Sequence, residues 1–193
     1  MRAQLSRLSR HARSGGAWLG CVAAAASLLM LAAPAQAAPL SDKPGTALAG
    51  DADAMFLRKA ALAGSMEIQA STLAESRASS PAVKAFAAQM LKDHRAAEAK
   101  LKQHAQRLGV QVPASPLDND KQALARLGQL KGADFDRAYA QQIGVDAHQD
   151  AVALFRKAVD DTKDDGVKTF ARETLPTLNH HLEMARQMAA QVK

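Results

Sequence analysis

Four long stretches of this chain place their apolar residues at alternating three- and four-residue steps, which is the spacing of one face of an α-helix. No stretch shows the strict alternation of a half-buried strand. Helices with such stripes bury them best against one another, so the sequence predicts an all-α, antiparallel four-helix bundle. The predicted helices span residues 51–76, 81–108, 134–162 and 165–192.

The connections between these helices predict how the bundle is built. Short turns at 77–80 and 163–164 join the helices pairwise into two hairpins. The segment 109–133 is much longer, contains two prolines, and is predicted to include a short helix at 121–130. Two hairpins and one long crossover are the connectivity of a ferritin-like bundle. We expect this connectivity to bring both hairpin turns to the same end of the bundle.

The N-terminal segment 1–37 has the three parts of a secretory signal peptide. Four arginines precede an apolar run at 17–33, and Ala35-Gln36-Ala37 supplies small residues for cleavage. We therefore predict export to the periplasm, a mature N-terminus at Ala38, a flexible leader at 38–50 and a bundle domain at 51–193. The apolar run is shorter than the roughly 20 residues of a membrane span, so no stable membrane insertion is expected.

A lipid anchor is not favoured at Cys21, although a glycine precedes this cysteine. Trp18 is bulky where a lipoprotein signal has a small aliphatic residue, and most of the apolar run follows Cys21. Because Cys21 is the chain's single cysteine, the mature protein would contain no disulfide and no thiol nucleophile.

Charge and motifs exclude several functional classes. Four of the 25 Lys and Arg residues, and none of the 19 acidic residues, lie in the signal segment, so its removal lowers the net charge from +6 to +2. This balance does not favour nucleic-acid binding, which needs a clustered basic face. The sequence also has no Gly-x-Ser-x-Gly elbow and no glycine-rich phosphate loop, and we therefore favour a non-enzymatic protein.

Each predicted helix carries one polar candidate on its apolar stripe: Glu67, His94, His148 and His181. From the helix rise, Glu67 and His94 lie about 18 and 21 Å from the first turn, and His148 and His181 about 24 and 25 Å from the second. The four side chains should therefore meet at similar heights inside the bundle.

One carboxylate and three imidazoles that converge would suit a transition-metal ion such as Cu, Zn or Fe. Asp93 and Asp146 are candidates for carboxylates that orient the imidazole rings without binding the ion. The alternative is a purely structural polar layer in which these groups hydrogen-bond one another, with the function residing in a protein partner. The sequence identifies neither such a partner nor an oligomeric state.

Six segments of the chain together form a recognisable pattern: Phe56-Leu57-Arg58-Lys59-Ala60-Ala61, Val83-Lys84-Ala85-Phe86-Ala87, Met90-Leu91-Lys92-Asp93-His94, Phe135-Asp136-Arg137-Ala138-Tyr139, His148-Gln149-Asp150-Ala151-Val152 and Leu175-Pro176-Thr177-Leu178 with His181-Leu182. They resemble the exported bacterial family called "domain of unknown function 4142", which is placed among the ferritin-like bundles. The resemblance implies a helical bundle in the cell envelope and no established activity. It also implies that Glu67, Asp93, His94, His148 and His181 occupy the family's recurring polar positions, whereas Ala147 departs from an acidic residue common there.

A ferritin-type ferroxidase is not expected. Such di-iron sites need a Glu-x-x-His pair on two helices, because the glutamates supply carboxylate ligands to the irons. In this chain Leu91 stands three residues before His94, and Leu178 stands three residues before His181.

Overall fold

A computed structural model describes residues 50–193 of the chain. The predicted signal peptide and nearly all of the predicted leader lie outside this range. Within it the protein has no strand, and none of its helices is both long and apolar enough to cross a membrane. The helices are α1 (Asp51–Arg77), α2 (Pro81–Arg107), α3 (Asp118–Gln129), α4 (Gly132–Tyr139), a π-helical segment (Ala140–Asp146), α5 (Ala147–Asp161) and α6 (Asp165–Gln191).

These elements form the predicted all-α bundle. The backbone stays in the right-handed helical region at Ala140 and Ala147, so α4, the π-helical segment and α5 make one continuous long helix. This helix is the third of the four long helices of the bundle; the other three are α1, α2 and α6. The short α3 lies in the crossover between α2 and α4, close to the position that the sequence predicted.

The two hairpin turns lie at opposite ends of the bundle, so the expectation that they share one end is wrong. Asp53, at the start of α1, accepts hydrogen bonds from the backbone N–H groups of Lys163 and Asp164 in the second turn, at 3.0 and 3.2 Å. Asp136, in the middle of α4, accepts from the backbone N–H groups of Ser79 and Ser80 in the first hairpin turn. The crossover therefore runs the length of the bundle, and α2 and α4 point the same way.

The bundle interior consists of two apolar clusters with a polar layer between them. One cluster contains the contacting rings of Phe56, Phe155 and Phe170, and the other contains Phe86 and Tyr139. On each long helix one polar candidate separates the residues of the first cluster from those of the second. The four candidates are Glu67, His94, His148 and His181.

The π-helical segment changes which residues of the third helix face inward. Three- and four-residue steps back from His148 would place Gln141 inside, but Gln141 is exposed, whereas Tyr139 and Ile143 are buried. A π-helical turn contains more residues than an α-helical turn, so the stripe shifts in phase before His148. After His148 the regular spacing resumes, and Val152 and Phe155, four and seven residues further on, are buried.

The carboxylate of Asp136 binds the first hairpin turn to α4 through hydrogen bonds. We expect Asp136→Asn to lower the free energy of unfolding by about 1–3 kcal/mol. The side chain is buried and accepts from Ser80 N at 2.8 Å and from both the backbone and the hydroxyl of Ser79. An amide keeps only one acceptor oxygen. Urea unfolding would measure the loss. Asp134→Asn is the matched control, since Asp134 is exposed and pairs with exposed Arg137; equal losses in both variants would contradict this role.

Candidate metal centre

The structure brings together the four polar candidates in the middle of the bundle. His148, His181 and Glu67 are at most 2% exposed, and His94 is 7% exposed. Their predicted heights remain compatible even though the hairpin turns lie at opposite ends. The reason is that all four residues lie near the midpoints of helices about 40 Å long, so heights measured from either end agree.

The three imidazole rings face one another. Their centroids are 5.4–5.6 Å apart for all three pairs of His94, His148 and His181. One ring nitrogen from each histidine lies within 4.8 Å of the corresponding nitrogens of the other two. Three nitrogen donors from three different helices therefore converge on one point of the interior.

The second nitrogen of each ring is held by an oxygen acceptor. His94 Nδ1 lies 3.1 Å from Glu67 Oε2, His148 Nδ1 lies 3.0 Å from the Ile143 carbonyl oxygen, and His181 Nε2 lies 2.9 Å from Asp93 Oδ2. Among residues 50–193, the opposite nitrogens have no hydrogen-bond partner: His94 Nε2, His148 Nε2 and His181 Nδ1.

The contacts of His148 and His181 determine their tautomers, because a nitrogen facing a backbone carbonyl or a carboxylate carries the ring proton. His148 Nε2 and His181 Nδ1 then hold lone pairs, and His94 Nε2 does so when its Nδ1 donates to Glu67 Oε2. Metal-binding histidines in proteins show this same arrangement, in which the ring nitrogen away from the ion donates to a carboxylate or a backbone carbonyl.

Glu67 lies behind the histidines and not among the unpartnered nitrogens. Besides its contact with His94, its Oε1 atom lies 3.6 Å from Nδ1 of His148. The sequence grouped Glu67 with the three histidines as a ligand, whereas the structure places its carboxylate where it orients the His94 ring. Oε1 itself has no hydrogen-bond partner within the described range.

The two aspartates predicted to orient the rings have different positions. Asp93 binds His181 and is itself held by Gln89 Nε2 at 2.6 Å. Asp146 is exposed and accepts from Gln141 instead, and the Ile143 carbonyl takes the place expected for it beside His148. Neither Gln89 nor Ile143 was predicted from the sequence to contribute to the site. Gln89 stands four residues before Asp93 on the same helix face, a spacing that could have indicated it.

Burial keeps the histidines uncharged. Desolvation lowers the pKa of His94 to about 3, with a further contribution from the neighbouring His148 and His181, and it lowers the pKa of His148 to about 4. Burial also lowers the pKa of His181. The pKa of the Glu67 carboxyl rises to about 8 for the same reason. The imidazoles are thus neutral near pH 7, which is the form that binds metal ions.

The fold and this site define a helical-bundle protein with a buried three-histidine cluster. The chain belongs to the family described as "domain of unknown function (DUF4142)", which matches residues 35–188. No curated protein matches the chain. A solved structure described as "CopM in the Cu(I)-bound form" is similar, with a TM-score of 0.61 and 18% identity over 72% of this chain and 96% of that chain. At this identity the similarity concerns the fold.

Proposed function

We propose that this bundle binds a single transition-metal ion, with copper favoured, through His94, His148 and His181. The observation that carries the proposal is that each of the three rings brings a nitrogen within 4.8 Å of the other two, and that each ring has one buried nitrogen without a hydrogen-bond partner among the described residues. A buried polar atom without a partner costs about 1–3 kcal/mol. One cation between them would satisfy all three nitrogens at once.

The donor set favours copper over the other candidates. Imidazole nitrogens suit Cu, Zn and Fe, and among the divalent ions of this series Cu(II) binds most tightly. The carboxylates that a di-iron site requires are missing, because leucines occupy the positions three residues before His94 and His181. The structurally similar CopM, described in a Cu(I)-bound form, adds support for copper in a bundle of this shape.

A role in holding or transferring copper in the bacterial envelope is the function we infer from this site. Its location rests on the signal-peptide pattern at residues 1–37. The buried layer contains no nucleophile or phosphate-binding loop that would suggest a reaction on an organic substrate. We therefore favour metal handling over enzymatic catalysis.

Calorimetric titration of the purified apo protein with Cu(II), together with elemental analysis, tests the proposal. We expect one ion per chain near neutral pH. At a free-ion concentration a hundred times the dissociation constant, the ion should stabilise the fold by about 2.7 kcal/mol. His148→Ala and His181→Ala should each abolish this stabilisation. Binding should persist at pH 5 and weaken only as the pH falls towards 4, because burial lowers the pKa of His94 to about 3 and that of His148 to about 4.

Two histidines outside the cluster provide matched controls. His180 is the exposed neighbour of His181, and half-buried His104 lies on the α2 stripe against the ring of Phe170. Replacing either with alanine should leave copper binding unchanged. If copper does not bind, or if His104→Ala and His181→Ala weaken binding equally, the polar layer is structural and the metal proposal is wrong.

A further inference from the structure

We propose that copper at this site keeps one coordination position open to an internal cavity, where a small neutral Lewis base of the class of carbon monoxide, dioxygen and nitric oxide binds. This inference rests on the proposed function and adds an exogenous ligand to it. A metal site that the protein closes with four ligands is structural, whereas three protein ligands leave a position for an outside molecule. The candidate for a fourth ligand, Glu67, lies instead at the Nδ1 atoms of His94 and His148.

A cavity of about 50 Å³ adjoins the histidine cluster. Three polar residues of the centre, His94, His181 and Glu67, form part of its lining. A single water molecule needs about 10–15 Å³ measured in this way, so the cavity has room for a molecule of two or three heavy atoms beside the ion.

Most of the cavity surface is apolar, although Asp93 and Glu98 also line it. The apolar walls include Leu101, Phe155, Phe170 and Leu178 from the neighbouring apolar cluster. The one hydroxyl that is half-buried in the wall, on Thr174, donates to the Phe170 carbonyl oxygen at 2.7 Å, so it is already satisfied. An ion or a strongly hydrated molecule would lose its water in such a space, whereas a neutral diatomic molecule loses little.

The charge near the ion also favours a neutral ligand. The Asp93 carboxylate already lies 2.9 Å from His181 Nε2, and Asp93 lines the cavity. A further anion at the open position would add negative charge near this carboxylate. A neutral donor that binds the ion directly avoids this repulsion.

The cavity reaches the surface between α2 and α6. A shallow surface depression between these helices shares Asp93, Ala97, Thr174 and Thr177 with the cavity lining. Thr177 is exposed, and Ala97 and Thr174 are half-buried. Ala97 stands one helical turn from His94, so a larger side chain there would narrow the path to the ion.

Carbon monoxide is the probe that tests this inference, with the purified protein loaded with Cu(I) under anaerobic conditions. We expect one infrared C–O stretching band and one molecule of carbon monoxide per copper. Ala97→Leu should retain one copper per chain and bind carbon monoxide about tenfold more weakly or more, as added bulk in an apolar pocket does. Ala99→Leu, on the exposed face of the same helix, is the control and should match the unmodified protein.

Gly64→Leu provides a second blocking variant if Ala97→Leu does not fold. Gly64 lines the cavity from α1, and a Cβ atom added there would meet nothing within 4 Å. Full copper loading without carbon monoxide binding, or equal binding in the blocked variants, would overturn the open position and leave the copper proposal standing. Failure to bind copper at all would instead overturn the proposed function and this inference with it.

Discussion

The variant Phe170→Ala is expected to lower the free energy of unfolding by about 3–5 kcal/mol, as truncation of a buried aromatic side chain does. Phe170 is buried, and its ring lies 6.3 Å from that of Phe56 and 5.9 Å from that of Phe155. These rings come from α6, α1 and α5, so the truncation loosens three helices at once. Denaturant unfolding of the metal-free protein measures the loss.

The adjacent Thr169→Ala is the control, because Thr169 is exposed and should change the free energy by less than about 0.5 kcal/mol. Phe86→Ala should cost as much as Phe170→Ala, since Phe86 is equally buried in the other cluster. The Phe86 ring also contacts that of His148, with centroids 6.0 Å apart, so this variant should weaken copper binding in addition. Unchanged stability in both phenylalanine variants would refute the assigned core.

The metal-free protein should be most stable near pH 6.5 and lose stability on both sides. The folded-state pKa values of His94 and His148, about 3 and about 4, lie below their ordinary value of 6.5. The unfolded chain therefore binds more protons than the folded one below pH 6.5, and stability falls as the pH falls towards 4. Glu67 has the opposite effect on the pH dependence of stability, because its folded-state pKa of about 8 exceeds its ordinary value of 4.5.

The Glu67 carboxyl is protonated in the folded protein and ionised in the unfolded chain between pH 4.5 and 8. Stability should consequently decline from pH 6.5 to 8, by less than about 1.4 kcal/mol per pH unit, the limit for one proton, because the unfolded histidines offset part of the effect near pH 6.5. Glu67→Gln should remove this alkaline decline and retain the acid one, whereas Glu75→Gln, exposed on the same helix, should change neither. Urea unfolding of each variant between pH 4 and 8 measures these changes in stability. An unaltered alkaline decline in Glu67→Gln would show that the Glu67 carboxyl does not cause it.

The fold class and the group of residues that meet in the core could both be predicted from the residue spacing. Helical periodicity is a local property, so the stripes that include Phe56, His94 and Phe170 could be read directly from the spacing. The rise per residue is also constant, which placed Glu67, His94, His148 and His181 at similar heights. Because these residues lie near the helix midpoints, even the wrong orientation of the hairpins did not separate them.

Only the tertiary structure decided which atoms face the centre. The π-helical segment changed the inward face before His148 and brought the Ile143 carbonyl, not Asp146, to its Nδ1 atom. Residue spacing does not show a backbone carbonyl turned towards a side chain, since every residue has one. The position of Glu67 behind the rings and the cavity beside them depend on how four helices rotate against one another. That rotation follows from packing between segments far apart in the chain, so it cannot be predicted from residue spacing within one helix.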